Sequence, residues 1–143
     1  MTTGLYVAQI IARETYNKPG ITTNIGDRMV GYSKSGNIPT IHFLCISRPG
    51  LDFVVKTLEE DGKKYLKQYF TKPNGVDRTE YIDPKHKKIT LKYLENFYRK
   101  QIENIPGILI VKKEWLPLTL DSEHLDNFME NCVKYPKKYI EGF

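Results

Sequence analysis

Gly4-Leu5-Tyr6-Val7-Ala8-Gln9-Ile10-Ile11, Asn17-Lys18-Pro19-Gly20-Ile21-Thr22-Thr23 and Asn24-Ile25-Gly26-Asp27-Arg28, running on to Tyr32, form the stretch whose reading decides the fold. The first run is rich in large apolar residues over strand length. Asn17–Gly20 carries turn or strand-entry punctuation, so the order reads strand, turn, strand. Asn24 is a good N-cap and Asp27 gives an acidic first turn, which predicts a helix from about Ile25. Arg28 and Tyr32, four residues apart, then project from one helix face. Two strands and a helix bring Tyr6, Lys18, Arg28 and Tyr32 toward a common surface bearing two phenols, an amine and a guanidinium.

Working outward, Gly36–Pro39 ends that helix and opens a strand over Thr40–Ser47. The strand is apolar on both faces apart from His42, as a central, doubly covered strand would be. His42 has no partner at metal spacing and reads as a hydrogen-bonded core histidine. Leu51, Val54, Val55, Leu58, Gly62, Tyr65, Leu66 and Tyr69 follow helical periodicity, which predicts a helix from about Leu51 to Phe70. Gly62 falls on its apolar stripe, which implies close packing or a break. Pro73-Asn74-Gly75 reads as a loop, Arg78–Ile82 as a short extended segment and Asp83-Pro84 as a turn. A helix of about Ile89–Asn104 follows, then a strand at Ile108–Val111. Trp115-Leu116-Pro117-Leu118 reads as an extension or edge, and a last helix spans about Ser122–Lys134. The tail Tyr135-Pro136-Lys137-Lys138-Tyr139 mixes base-stacking and phosphate-pairing residue types. Its simpler reading is a surface tail docking two tyrosines on the body.

A chain of 143 residues suits one domain with a real core. No apolar run approaches the ~20 residues of a membrane span, and no secretory signal is visible. Cys45 and Cys132 sit in apolar patterns without zinc spacing. They fit buried thiols in a reducing compartment, hence an intracellular (cytoplasmic) protein. The net charge of +5 tilts the partner toward polyanions without forming a nucleic-acid tail.

The order Gly4-Leu5-Tyr6, Lys18-Pro19-Gly20-Ile21-Thr22-Thr23-Asn24 and Arg28 resembles the GIY-YIG nuclease superfamily. It is most similar to the branch of phages and large DNA viruses in which Lys-Ile-Gly-Ile-Thr replaces Tyr-Ile-Gly. Tyr69-Phe70 and Arg78-Thr79-Glu80-Tyr81-Ile82 are similar to that branch's later Phe … Glu-Trp-Phe segment. The resemblance covers about two-thirds of the chain. It implies an α/β (α+β) domain over residues 1–143, a small mixed or antiparallel sheet flanked by helices. The core would be about 1–104, with a C-terminal strand-helix extension over about 105–143. It implies a metal-dependent DNA endonuclease using Mg²⁺ or Mn²⁺, acting on duplex or branched DNA. A domain this short, with little room for a separate reading head, must cut with weak preference, form a homodimer or be guided by a partner. The lack of a long apolar run argues against a membrane partner.

Phosphodiester hydrolysis needs an activated water, a counter-charge for the transition state and help for the leaving oxygen. Arg28 offers always-charged donors for phosphate oxygens. The resemblance puts Tyr6 near the scissile phosphate and Lys18 in the place of the second motif tyrosine, as a positive charge or a base. Tyr32 matches the position of a His or Tyr implicated in proton transfer. Family members hold one divalent metal through a glutamate on the later helix, and Glu59 is the candidate. Two departures stand out. Pro19 replaces an isoleucine or valine and bars a central ladder position, so the first motif strand must pair another way or this strand must bulge. Aligning Leu66 and Phe70 with the family's helix puts Lys63 at the metal position, so the ligand is Glu59, one turn earlier, or Glu60, or is lost. The alternatives are an inactive nucleic-acid-binding relative that keeps Arg28 and the basic surface, and a protein-interaction domain using Trp115 and Tyr139.

Overall fold

The structure, a computed structural model, describes residues 2–11, 16–69, 87–116 and 127–143. Four strands form one antiparallel sheet: β1 (Gly4–Ile11), β2 (Tyr16–Thr22), β3 (Ile38–Ser47) and β4 (Ile108–Ile110), in the order β2-β1-β3-β4. The helices are α1 (Ile25–Lys34), α2 (Asp52–Tyr69), α3 (Lys87–Ile102) and α4 (Phe128–Lys134), followed by a single turn at Pro136–Tyr139. Among the described residues every strand pairing is antiparallel.

β1 and β3 are the inner strands of the described sheet and feed both layers, and the alternation of β1 divides the core. Tyr6, Ala8 and Ile10 pack on one face with Ile25 and Met29 of α1 and Phe128, Met129 and Cys132 of α4. Leu5 and Val7 pack on the other face with Val55 and Leu58 of α2 and Leu94, Tyr98 and Ile102 of α3. Strand residues of period two thus serve two helical layers. Leu109, Val111, Leu116 and Ile140 join the first core, so the chain beyond residue 105 is packed into the same body. No helix of the described residues is long and apolar enough to cross a membrane. Cys45 and Cys132 are both buried and free, and burial pushes each thiol up to about 12.

Asn17–Gly20 lies inside β2 rather than in a turn: Tyr6 pairs with Gly20, Val7 with Pro19 and Ala8 with Lys18. Among the described residues β2 is an edge strand with β1 as its neighbour. Such a strand uses only alternate N–H groups for its neighbour, so a residue without one is accommodated. The irregularity falls on the other side of β1, where the register with β3 shifts between Val7–Phe43 and Ala8–Ile41. His42 is the residue left over, and a bulge of this kind turns its side chain out of the regular alternation. Its Nε2 is buried without a hydrogen-bond partner among the described residues.

Gly62 sits within α2 without breaking it. A Cβ there would meet the Tyr98 hydroxyl and lie 2.5 Å from its Cζ, so the glycine is a seat for the α3 tyrosine. Residues 113–115 form a 3₁₀ turn and not an extension strand, because Trp115 Nε1 donates to the Lys138 carbonyl at 2.7 Å and pulls the segment onto the C-terminal turn. The loop, extended segment and turn expected at Pro73–Gly75, Arg78–Ile82 and Asp83-Pro84, together with Phe70, Glu80, Pro117-Leu118 and the start of the last helix at Ser122, lie outside the described residues.

Candidate functional site

The site is assembled from β1, β2 and α1. Asn24 has extended backbone (φ −147°, ψ 102°), and its side chain accepts a hydrogen bond from the Asp27 backbone N–H at 3.1 Å, which caps α1. Thr22 Oγ1 donates to the Asn24 carbonyl at 2.9 Å and accepts from the Asn24 N–H at 3.0 Å, fixing the approach from β2. A cap and an approach fixed in this way set the rotation of α1. Arg28 and Tyr32 therefore face a groove of about 550 Å³ lined also by Thr22, Asn24, Asp27 and Ser35.

Tyr6 reaches this groove from beneath. Its residue is fully buried and its ring lies over Gly20, where a Cβ would come within 2.4 Å of the phenol oxygen. The glycine of the second motif is thus the floor on which the first motif's tyrosine rests. The Tyr6 and Tyr32 hydroxyls are 2.9 Å apart, and either can donate. Burial, then the Tyr32 hydroxyl, hold the Tyr6 phenol far above the ordinary tyrosine range, against the lowering effect of the Arg28 charge. Tyr6 therefore favours its protonated form. Tyr32 is half-buried and is the phenol that meets the groove.

Arg28 is exposed, and its Nη2 donates to the Ile21 carbonyl at 3.4 Å. Among the described residues no carboxylate forms an ion pair with its guanidinium, which leaves it for an external anion. Lys18 pairs with Ala8 in β2, two residues from Gly20, and so lies on the same sheet face as Tyr6.

Glu59 belongs to α2, in the layer on the opposite face. Its negative charge nevertheless contributes to raising Tyr6, so it lies within electrostatic range of that hydroxyl. Its side chain is 14% exposed and Oε1 is 3.1 Å from Lys63 Nζ. Glu60, the other candidate on this helix, is exposed. Among the described residues no three His, Cys, Asp or Glu side chains gather as a metal-binding group. A hard divalent cation fits the Glu59 carboxylate as a single protein ligand, with phosphate oxygens and waters completing the shell. Binding at Oε1 requires Lys63 to be displaced.

The structure thus brings Tyr6, Arg28 and Tyr32 together, sets Lys18 beside them and leaves Glu59 across the sheet. The sequence reading missed the part played by Gly20 as floor and by Thr22 and Asn24 as groove wall. The pairing of a motif glycine with a motif tyrosine across two strands was the available signal. Comparison with family models, with curated proteins and with solved structures finds no match.

Proposed function

We propose that the chain is a metal-dependent DNA endonuclease of the GIY-YIG type, cutting phosphodiester bonds in the groove of Arg28 and Tyr32. The observation that carries this reading is the Tyr6–Tyr32 hydroxyl pair at 2.9 Å, seated over Gly20 beside an arginine that has no carboxylate partner among the described residues. Those are the residues that the family resemblance requires, and they meet in space although up to 26 residues separate them.

In this reading Arg28 grips the non-bridging phosphate oxygens and stabilises the charge that develops on them. Tyr6 stays protonated and donates to Tyr32, which fixes the Tyr32 oxygen to accept a hydrogen bond from the attacking water. Lys18 adds positive potential on the same face. Glu59 would hold a magnesium or manganese ion, which would supply Lewis acidity and support for the leaving oxygen, on condition that the substrate reaches past the sheet to that carboxylate. Incubation of supercoiled plasmid with the protein and Mg²⁺ or Mn²⁺, against an EDTA control, tests the reading. Nicking or linearisation that needs metal and vanishes in Arg28→Ala supports it; an intact plasmid under every condition refutes it.

A second reading is favoured by the Glu59–Lys63 pair, in which an ammonium occupies the carboxylate. It is a nucleic-acid-binding relative that keeps Arg28 and binds no metal. Salt-titrated gel shifts with an uncut plasmid would identify it, since phosphate contacts give a steep salt slope.

A further inference from the structure

A second surface joins positive charge to exposed aromatic area. The end of α4 and the turn at Pro136–Tyr139 form a cleft of about 640 Å³ lined by Lys134, Tyr135, Pro136, Lys137 and Lys138. Tyr139 does not contribute a free ring. It packs against Trp115 at 4.8 Å between centroids and against Phe128 at 5.5 Å. Tyr135, by contrast, is 51% exposed, which corrects the expectation that both tail tyrosines dock on the body.

The lysines here have no acidic partners. Among the described residues no carboxylate pairs with Lys134, Lys137, Lys138 or Lys112. Glu130, one turn before Lys134 on α4, forms no ion pair among the described residues, and Glu141 is held by Arg99 at 2.7 and 3.1 Å. Lys134 Nζ stands 5.4 Å from the Tyr135 ring centroid, and Lys138 Nζ 5.1 Å from that of Trp115. Lys112 Nζ donates to the Lys137 carbonyl at 2.9 Å and fixes the turn. A half-exposed ring with one face under the Lys134 ammonium, and Lys137 and Lys138 on the adjoining turn, matches a ligand that stacks on the other face and carries negative charges beside it.

We infer that this cleft binds single-stranded nucleic acid, with a base stacked on Tyr135 and the flanking phosphates on Lys134 and Lys137. A duplex offers the phosphates but keeps its base faces stacked inside, so it cannot use the ring. Stacking on an aromatic residue together with a basic track is the general means of holding single strands. The cleft shares no residue with the Arg28–Tyr32 groove, so the inference stands whether or not that groove cuts. Both nevertheless lie on one sheet face, since α1 touches α4. A substrate with an unpaired segment could engage both.

The test is fluorescence anisotropy of a 5′-labelled twelve-nucleotide oligo-dT with the intact chain in EDTA, in wild-type and Arg28→Ala backgrounds. Tyr135→Ala should weaken binding about tenfold in both, and Tyr135→Phe should keep it. Lys134→Gln with Lys137→Gln, which removes charge without packing, should reduce the salt slope by about 1.4. A loss of this size in both backgrounds supports the cleft whatever the groove does, and a loss confined to either one overturns it as an independent site. The inference is overturned if Tyr135→Ala binds as wild type, if the lysine pair leaves affinity and slope unchanged, or if Tyr135→Phe loses as much as Tyr135→Ala. It is also overturned if a duplex of equal length binds as tightly, or if phosphatidylserine vesicles bind while the oligonucleotide does not.

Discussion

Gly20→Ala is the substitution that most directly questions the site. The added Cβ would lie 2.4 Å from the Tyr6 hydroxyl oxygen, 2.5 Å from Cζ and 2.9 Å from Cε1. Non-bonded carbon atoms rest at about 3.5–4.0 Å, so the ring must retreat by about 1 Å. Tyr6 is fully buried, and its hydroxyl is tied to Tyr32 at 2.9 Å, so there is no solvent into which to swing. Overpacking of this kind costs roughly 1–3 kcal/mol, and a buried hydroxyl stripped of its partner about 1–3 kcal/mol more. Replacing a strand-interior glycine returns about 0.5–1 kcal/mol of backbone entropy. A net loss of about 3 kcal/mol is expected, which at a urea slope of roughly 2 kcal/mol per molar lowers the unfolding midpoint by roughly 1.5 M. The control is Tyr6→Leu, which removes the ring: in that background Gly20→Ala should cost less than about 0.5 kcal/mol. A Gly20→Ala protein as stable as wild type, or strict additivity of the two changes, would show that the ring does not rest on Gly20.

Tyr32→Phe should lower the single-turnover cleavage rate by ~10²-fold and Tyr6→Phe by clearly less, because only Tyr32 meets the groove; equal losses would contradict the division of roles. Tyr98→Phe should leave stability unchanged or raise it by about 1 kcal/mol in urea unfolding, since the Tyr98 hydroxyl is buried without a hydrogen-bond partner among the described residues. His42 is held below the ordinary histidine range by burial, more than the Glu95 charge restores. Below about pH 6.5 the unfolded chain takes up a proton that folded His42 resists, so stability should fall as pH drops through that range. Comparing unfolding midpoints at two pH values on either side of it should show a smaller fall in His42→Asn than in wild type.

The elements that local chemistry specifies were legible in the sequence. β1 runs over Gly4–Ile11 as its composition predicts, and Asn24 caps α1 as its residue type predicts. α2 follows from its apolar stripe to within a residue at each end. The readings that failed depended on neighbours distant in sequence. Asn17–Gly20 looks like a turn because Pro and Gly punctuate chains locally, yet an edge position and the ring of Tyr6 make both residues suitable for a strand. Residues 113–115 coil because Trp115 finds the Lys138 carbonyl. His42 leaves the regular alternation because of how β3 meets β1, which no local pattern encodes. For the site, spacing brought Tyr6, Arg28 and Tyr32 together correctly. The helix register of Glu59 relative to them depends on how α2 lies on the sheet.

Pro19 has a consequence beyond its tolerance in β2. The open side of an edge strand is a template on which another molecule's strand can grow, and the strand carrying Gly20 has to keep that side beside a groove open to substrate. Without an N–H at position 19, a foreign strand zipping along β2 meets a missing rung in the middle of the motif. Among the described residues, Pro19 thus disfavours strand addition along the β2 edge.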